Sequence, residues 1–178
     1  DVVDYTSEAV DTAGWISFFW SAVISSVAES RMLRFVRSYR SRDEYVPDNG
    51  QTYLPKGLGK QWTHNYDRRI YPFTGNAYLL AVALRPDGSF KHFKPNGWEK
   101  LKMGVSANLA PQYSGMTLTG WRLTSENNEI EDYDASGKLL TITSRGAIQT
   151  LTYSDGSTPG TIAPAPGYLI QVSDFAGR

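Results

Sequence analysis

Cysteine is absent from this 178-residue chain, and histidine occurs only twice. Without cysteine there is no disulfide bond and no thiolate zinc site, and two imidazoles are too few to build a metal site from protein ligands alone. We therefore expect neither a metal ion nor another cofactor.

An excess of one charge is also missing, because 18 Lys and Arg residues balance 18 Asp and Glu residues. A neutral chain has no overall field that would attract nucleic acid or an anionic membrane. We predict that nucleic acid is not a partner, and that any partner is recognised by local features.

A long hydrophobic run is lacking as well. The most apolar stretch, residues 14–28, is shorter than the about 20 apolar residues of a membrane-spanning helix and contains four serines. We expect no stable membrane span. The alternation of Ile16, Phe18 and Trp20 fits a strand, while serine at every fourth position fits a helix face. The abundance of aromatic and β-branched residues favours strands.

Turn signals recur about every 8 to 12 residues along the chain. Examples are Pro86-Asp87-Gly88, Asn96-Gly97 and the polar residues 126–129. This spacing predicts an all-β fold built from antiparallel hairpins. Within it we expect one strand over residues 61–71 and a loop at residues 111–115.

A strand-and-turn unit repeats near the C-terminal end. Tyr133-Asp134 opens a turn that Gly137 closes, strands follow over 139–143 and 148–153, and Gly146 turns the chain between them. Tyr153 ends this hairpin twenty residues after Tyr133.

A cut-off copy of the unit ends the chain. Gly177 follows Asp174 at the offset by which Gly137 follows Asp134. Because the chain starts without Met and stops inside a repeat, we expect the natural polypeptide to continue at one end or both. The repeat residues suit a scaffold, since Asp accepts hydrogen bonds from turn N–H groups and Gly supplies a positive φ.

Five arginines lie between residues 31 and 42, interleaved with aromatic residues. Met32, Phe35 and Tyr39 have the spacing of a helix face, and Leu33, Phe35 and Tyr39 share one face of a strand. Such a segment can serve as a phosphate-binding patch. We favour a solvated strand face on which the arginine side chains cover apolar neighbours.

The two histidines, His64 and His92, are the obvious candidates for a catalytic base. A hydrolase also needs an orienting acid and a nucleophile, and no nucleophile elbow, metal triad or Gly-rich phosphate loop accompanies them. We predict that the chain has no catalytic residues and is not an enzyme.

Four carboxylates, at Glu129, Glu131, Asp132 and Asp134, have the residue types of a glycosidase pair. They lie in a turn region, however, so we interpret them as a solvated edge.

The repeat resembles that of the RHS/YD-repeat proteins, in which Tyr-Asp, two variable residues, Gly, a basic residue and Leu recur about every 20 residues. Residues 133–139 follow this pattern, with Gly146 and Tyr153 beyond them. Residues 10–14, 33–41 and 57–67 are similar to the opening of the bacterial RHS core. The residues that carry the resemblance, all with a structural role, are Arg34, Phe35, Arg37, Tyr39, Gly57, Gly59, Trp62, His64, Tyr66, Asp67, Tyr133, Asp134, Gly137, Leu139, Gly146 and Tyr153.

The resemblance implies a long β-strip that spirals into a hollow shell. In bacterial relatives the shell encloses a toxic C-terminal domain until it is delivered to another cell, and in animal relatives it serves adhesion. The resemblance also divides this chain into an N-terminal segment with apolar strands (1–30), an opening region of the core (31–125) and truncated YD-type repeats (126–178). The implied partners are the remainder of its own polypeptide, the enclosed toxin domain and a secretion apparatus. The implied location is secreted or at the bacterial cell surface.

Aromatic residues are abundant, with five Trp and eleven Tyr. They also permit a carbohydrate-binding or adhesive extracellular β-module, in which ring faces stack on sugars. That alternative needs two or more exposed, coplanar rings, whereas the shell interpretation buries Trp62, Trp98 and Trp121 between strands.

Overall fold

The protein consists of β-strands joined by tight turns. The structure is a computed structural model that describes residues 9–10, 16–23, 33–40, 58, 62–73, 78–97 and 107–177. The strands in these ranges are β1 Ala9–Val10, β2 Ile16–Val23, β3 Arg34–Arg40, β4 Trp62–His64, β5 Arg69–Pro72, β6 Ala81–Leu84, β7 Phe90–Phe93, β8 Asn108–Ser114, β9 Thr117–Thr124, β10 Ile130–Asp134, β11 Leu139–Ser144, β12 Ala147–Tyr153 and β13 Leu169–Asp174. The described residues contain no helix, and therefore none long and apolar enough to cross a membrane.

Within each sheet, strands that are consecutive in sequence lie side by side, and every pair is antiparallel. The result is three meandering sheets, which we call the N-terminal sheet (β1–β4), the small sheet (β5–β7) and the large sheet (β8–β13). The predicted all-β class is thereby confirmed. The six strands of the large sheet form one uninterrupted series of hairpins.

The two segments whose spacing also fitted a helix contain strands. β2 pairs with β3 from Ser17↔Arg40 to Val23↔Arg34. The arginines of β3 occur at every third position, and Arg34 and Arg37 are exposed. Hydrogen bonding to neighbouring strands therefore decides the conformation where local spacing fits both.

The core lies between the large sheet and the small sheet. Leu109, Leu123 and Ile142 occupy one row across the large sheet and are buried. Ile70 and Phe93 reach the same cluster from the small sheet and are fully buried. Burying such side chains supplies the main stabilising free energy of a two-layer β-fold.

The small sheet also buries its other face. Tyr71, Val82 and Leu84 form a second cluster, against which Phe73 and Phe90 pack. Both faces of its strands are therefore apolar, which explains the unbroken run Ala81-Val82-Ala83-Leu84.

The single strand expected over residues 61–71 is wrong, because β4 ends at His64 and β5 begins at Arg69. The amide of Asp67 donates to the carbonyl of His64 at 2.8 Å and turns the chain. Asn65 fixes this turn, since its Oδ1 accepts from the amide of Val36 at 2.9 Å and its Nδ2 donates to the carbonyl of Arg34 at 2.8 Å.

The loop expected at residues 111–115 is also wrong, because β8 runs from Asn108 to Ser114 and pairs Pro111 with Trp121. β8 is an edge strand of the large sheet, where a proline without an N–H group is tolerated.

One type of tight turn occurs five times in the described residues, and the same kind of hydrogen bond closes one wider loop. A carbonyl accepts from the N–H of a later residue with positive φ, at N···O distances of 2.8 to 3.0 Å. The tight turns are Arg85–Gly88, Lys94–Gly97, Ser125–Asn128, Asp134–Gly137 and Asp174–Gly177, and the pair Ser154–Gly167 closes the wider loop between β12 and β13. A tight turn that ends in a left-handed residue is a common hairpin connection.

Candidate functional site

The most unusual group in the described residues is the carboxylate of Glu131, which is completely buried. On β10 it lies between Leu123 of β9 and Ile142 of β11, in the row that builds the core. A buried carboxylate is costly unless charged or hydrogen-bonding partners surround it.

Two arginines and a tyrosine supply those partners. Arg85 donates from Nη1 to Oε2 of Glu131 at 2.8 Å and from Nη2 to Oε1 at 2.6 Å, a two-point contact. Arg68 donates from Nη1 to Glu131 and, at 2.5 Å, to Glu129. The Tyr133 hydroxyl donates to Oε2 of Glu131. We call these five residues the Glu131 cluster.

Elements of two sheets and the connection between β4 and β5 meet in the Glu131 cluster. Arg85 directly follows β6 of the small sheet, Arg68 lies just before β5, and the acids belong to β10 and the turn before it. Arg68 also donates from Nε to the carbonyl of Asn65 at 2.8 Å, and Asn65 is bound to β3. The cluster therefore links the large sheet to the small sheet and, through Asn65, to β3.

The cluster holds Glu131 ionised. Burial alone would raise the pKa of Glu131, but the hydrogen bond from Arg85 and the charge of Arg68 outweigh it and lower the pKa to about 2. Burial raises the pKa of Tyr133 well above its usual value, and the adjacent charge of Glu131 acts in the same direction. The tyrosine thus stays protonated and keeps its hydrogen bond.

This arrangement is suited to holding elements together and poorly suited to catalysis. A general acid needs a raised pKa and a nucleophile needs access, whereas Glu131 is ionised, buried and contacted on both oxygens. Within the described ranges no group of three or more His, Asp or Glu side chains could hold a metal ion.

The interpretation of four carboxylates as a solvated edge is wrong for Glu131. Asp132, next to it, does lie on the outer face and pairs with Arg122 at 2.7 Å, with the two side chains 31% and 49% exposed. Side chains alternate along a strand, so Glu131 had to share the buried face of Tyr133. That alternation was the available signal.

Arg68 and Arg85 were also not singled out from the sequence. Arg85 ends the apolar run of β6, a position where an arginine is either exposed or paired. Nothing in the sequence names its partner, which lies 46 residues away along the chain. Contacts of that range arise only from the packing of the small sheet on the large sheet.

The residues marked by the resemblance lie on three parts of the fold. They are Arg34, Phe35, Arg37 and Tyr39 on β3, Trp62 and His64 on β4, Tyr66 and Asp67 just after it, Tyr133 and Asp134 on β10, Gly137 and Leu139 next to and on β11, Gly146 in the following turn and Tyr153 at the end of β12. Gly57 and Gly59 lie outside the described residues, as does Trp98.

On β3 and β4 these residues contact one another in pairs. The rings of Phe35 and His64 are 5.1 Å apart, those of Tyr39 and Trp62 are 5.2 Å apart, and the guanidinium of Arg37 lies 5.6 Å from the Trp62 ring. Nδ1 of His64 accepts from the amide of Tyr66 at 3.2 Å, which gives this histidine a role in the turn.

In the core the resemblance marks a connected group. Tyr66, Tyr133 and Leu139 are buried in one cluster, and Tyr153 packs against it. The Tyr133 hydroxyl donates to Glu131 and so ties this group to the Glu131 cluster.

Replacing Tyr133 with phenylalanine removes that hydrogen bond and little else. Because its acceptor is a buried carboxylate, we expect the Tyr133→Phe variant to lose about 1.5–3 kcal/mol of unfolding free energy. Chemical denaturation measures this loss. A variant as stable as the wild type would show that Arg68 and Arg85 alone satisfy Glu131.

Comparison with known families gives one match. Residues 10–93 match the model described as a domain of unknown function (DUF6531), which covers somewhat less than half of the chain. The match ends where β7 ends, so it includes the small sheet and excludes the large sheet. No curated protein and no solved structure matches the chain.

Proposed function

We propose that the chain is a structural scaffold: the opening segment of an RHS/YD-repeat shell that encloses a C-terminal toxin or effector domain for delivery to another cell. In this role it has no catalytic residue and no cofactor. Its partners are the rest of its own polypeptide and the enclosed domain, and it acts outside the bacterial cell or at its surface.

The observation that carries the proposal is the repeated turn. The carbonyls of Asp134 and Asp174 each accept from a glycine three residues later at 2.9 Å. Oδ1 of each also accepts a backbone N–H at 2.9 Å, from Lys138 in the first turn and from Ala176 in the second. These turns are forty residues apart, two periods of the repeat. Each stands at the end of a strand, and the first of them leads directly into β11.

A third copy of the turn, halfway between these two, contains an insertion but is closed by an equivalent hydrogen bond. Ser154 stands twenty residues after Asp134, and its carbonyl accepts from Gly167 at 2.8 Å. Its hydroxyl accepts from the amide of Tyr168 at 2.9 Å, as Oδ1 of Asp134 accepts from Lys138. Residues 155–166 are inserted into a turn that is otherwise preserved, as expected if the turn itself is the repeated structural unit.

Strand order supports the same role. A repeat unit of this kind cannot bury its apolar face alone and is stabilised by the strands beside it. In the large sheet each new strand is added to the previous one, with β13 at the edge and the turn Asp174–Gly177 formed beyond it. A further strand can follow this turn in the same way that β11 follows the turn after β10.

Buried ion pairs that hold two sheets together suit the wall of a shell better than a binding module. The Glu131 cluster joins the large sheet to the small sheet through charged contacts that are almost fully buried. Networks of this kind, when every member is satisfied, fix one arrangement of the elements that carry them.

The aromatic residues favour the scaffold over a carbohydrate-binding or adhesive module. Trp121 is buried, and Trp62 and Tyr39 meet at 54° rather than lying coplanar. The exposed rings of Tyr78, Tyr113 and Phe175 lie in different parts of the fold: between β5 and β6, on β8 and after β13. A flat aromatic platform for sugars is not formed by these rings.

The reading frame of the gene tests the proposal directly. We expect the codons after Arg178 to encode further Tyr-Asp repeats spaced by about 20 residues. A stop codon soon after Arg178, or an unrelated domain without such repeats, would contradict the shell and favour a free-standing module.

A further inference from the structure

Arg69, the first residue of β5, carries a buried charge that no carboxylate of the described residues contacts. Only 7% of the residue is exposed, and its Nε and Nη1 atoms are buried without a hydrogen-bond partner in the described part of the chain. Nη2 makes the one hydrogen bond that the group has with these residues, a long contact of 3.4 Å to the carbonyl of Ser136. The guanidinium is therefore held by a single weak hydrogen bond.

The two arginines of the Glu131 cluster show how this fold satisfies a buried guanidinium elsewhere. Arg85 contacts both oxygens of Glu131, and Arg68 donates to Glu131 and Glu129. A buried guanidinium without a carboxylate is costly, because its charge and its N–H groups lose their hydration and gain nothing in return. The missing partner of Arg69 is thus a carboxylate of the kind that the other two arginines have.

The guanidinium of Arg69 lies close to the surface of the repeat turn. Ser136, whose carbonyl it contacts, is exposed, and an isolated backbone bridge between Arg69 and Lys138 joins β5 to this turn. On its other side the guanidinium carbon lies 5.7 Å from the centre of the Tyr71 ring. Because the 3.4 Å contact is the only hydrogen bond to be broken, the guanidinium can turn toward a ligand at this surface at little cost.

The carboxylate of the repeat turn does not serve Arg69. Oδ1 of Asp134 accepts from the amide of Lys138 at 2.9 Å and from the hydroxyl of Ser136 at 2.7 Å, and Oδ2 pairs with Nζ of Lys138 at 3.6 Å. The same Nζ lies 5.3 Å from the centre of the Tyr153 ring. Asp134 is thus engaged by its own turn, and a carboxylate for Arg69 has to come from outside this turn.

We infer that Arg69 is the binding residue of a carboxylate site at the junction of β5 and the repeat turn. A carboxylate is planar and has two acceptor oxygens, so it can accept from two guanidinium nitrogens at once. Small carboxylates in solution and the Asp or Glu side chains of another polypeptide segment present this same group. The inference does not depend on the proposed scaffold role.

Thermal unfolding of the 178-residue chain tests the inference, with sodium chloride replaced stepwise by sodium formate at constant ionic strength. At about 100 mM formate we expect the unfolding midpoint to rise by about 3 °C relative to chloride, because a ligand that binds only the folded state stabilises it. Equal midpoints in the two salts would overturn the inference. A larger rise in sodium phosphate of the same ionic strength would also overturn it, since the site would then prefer another oxyanion.

The Arg69→Met variant removes the charge and keeps an unbranched side chain. In chloride we expect its unfolding midpoint to lie about 2–6 °C above that of the wild type, because a buried charge without a carboxylate is lost, and formate should not raise it further. Arg122→Met, on the outer face, should keep the full effect of formate. A midpoint of Arg69→Met several degrees below the wild type in chloride would show that the fold already satisfies Arg69, and would overturn the inference.

The NMR resonance of the Arg69 Nε–H group gives a direct readout that does not depend on stability. It is assigned by its absence in Arg69→Lys, which keeps the charge but lacks the planar guanidinium. We expect the resonance to shift as formate replaces chloride, and an unchanged resonance would overturn the inference. Acetyl-glutamate amide distinguishes the two sources of the carboxylate. A shift like that caused by formate supports a protein side chain as the ligand, and a shift with formate alone supports a small free carboxylate.

Discussion

Replacing Glu131 with glutamine is expected to lower the unfolding free energy by about 3–5 kcal/mol, the usual cost of removing one member of a buried ion pair. The glutamine keeps the shape of the side chain but leaves the buried charge of Arg85 without its carboxylate and Arg68 with Glu129 alone. Chemical denaturation followed by tryptophan fluorescence measures the effect.

The matched control is Asp132→Asn, one residue away on the same strand. Asp132 pairs with Arg122 on the outer face, where Arg122 is exposed and Asp132 is partly exposed, so its loss is expected to cost less than about 1 kcal/mol. Similar losses in the two variants would mean that Glu131 is solvated and that the cluster does not hold the sheets together.

The Glu131→Gln variant is also expected to remove part of the pH dependence of stability. The pKa of Glu131 falls from 4.5 to about 2 on folding, so its contribution is complete above about pH 4.5 and is lost as the pH falls toward 2. This contribution corresponds to about 3 kcal/mol. We expect the wild type to lose more stability between pH 5 and pH 2 than Glu131→Gln does, and parallel curves would contradict the assignment.

Replacing Gly137 with alanine is expected to cost at least about 3 kcal/mol. A methyl group there would lie 1.9 Å from the carbonyl oxygen of Ile70, which is backbone and cannot rotate away. This close approach allows a hydrogen bond: the carbonyl of Gly137 accepts from the amide of Ile70 at 2.9 Å, which attaches the repeat turn to β5. Steric overlap and a φ of 82° both oppose alanine.

Gly146→Ala separates these two causes. Gly146 has a similar φ of 77° but nothing within 4 Å of the added methyl group, so only the conformational cost of about 1 kcal/mol remains. Thermal unfolding of the two variants measures the difference. If both lose the same stability, the contact between the repeat turn and β5 is not made.

Local chemistry made the turns and the fold class predictable. Asp134, Gly137 and Gly146 each have a direct conformational role that needs no knowledge of distant residues. The strands between them follow from the alternation of apolar and polar residues.

Long-range contacts account for what the sequence did not predict. The break between β4 and β5 depends on Asn65, whose side chain binds β3 nearly thirty residues away. Pro111 lies within a strand because that strand is at an edge, and edge position is a property of the sheet.

The candidate site shows the same division. Alternation along β10 places Glu131 on the buried face with Tyr133, so its burial follows from the sequence once Tyr133 is assigned to the core. Its partners do not follow, because Arg68 and Arg85 are separated from it by 63 and 46 residues.

The structure of the complete polypeptide, determined by electron cryo-microscopy, tests the scaffold proposal most directly. We predict that a further strand pairs antiparallel with the outer edge of β13, that the turn Asp174–Gly177 keeps its present form, and that the continued sheet closes around a cavity containing the C-terminal domain. An open sheet that ends at β13, with the C-terminal domain outside it, would contradict the proposal.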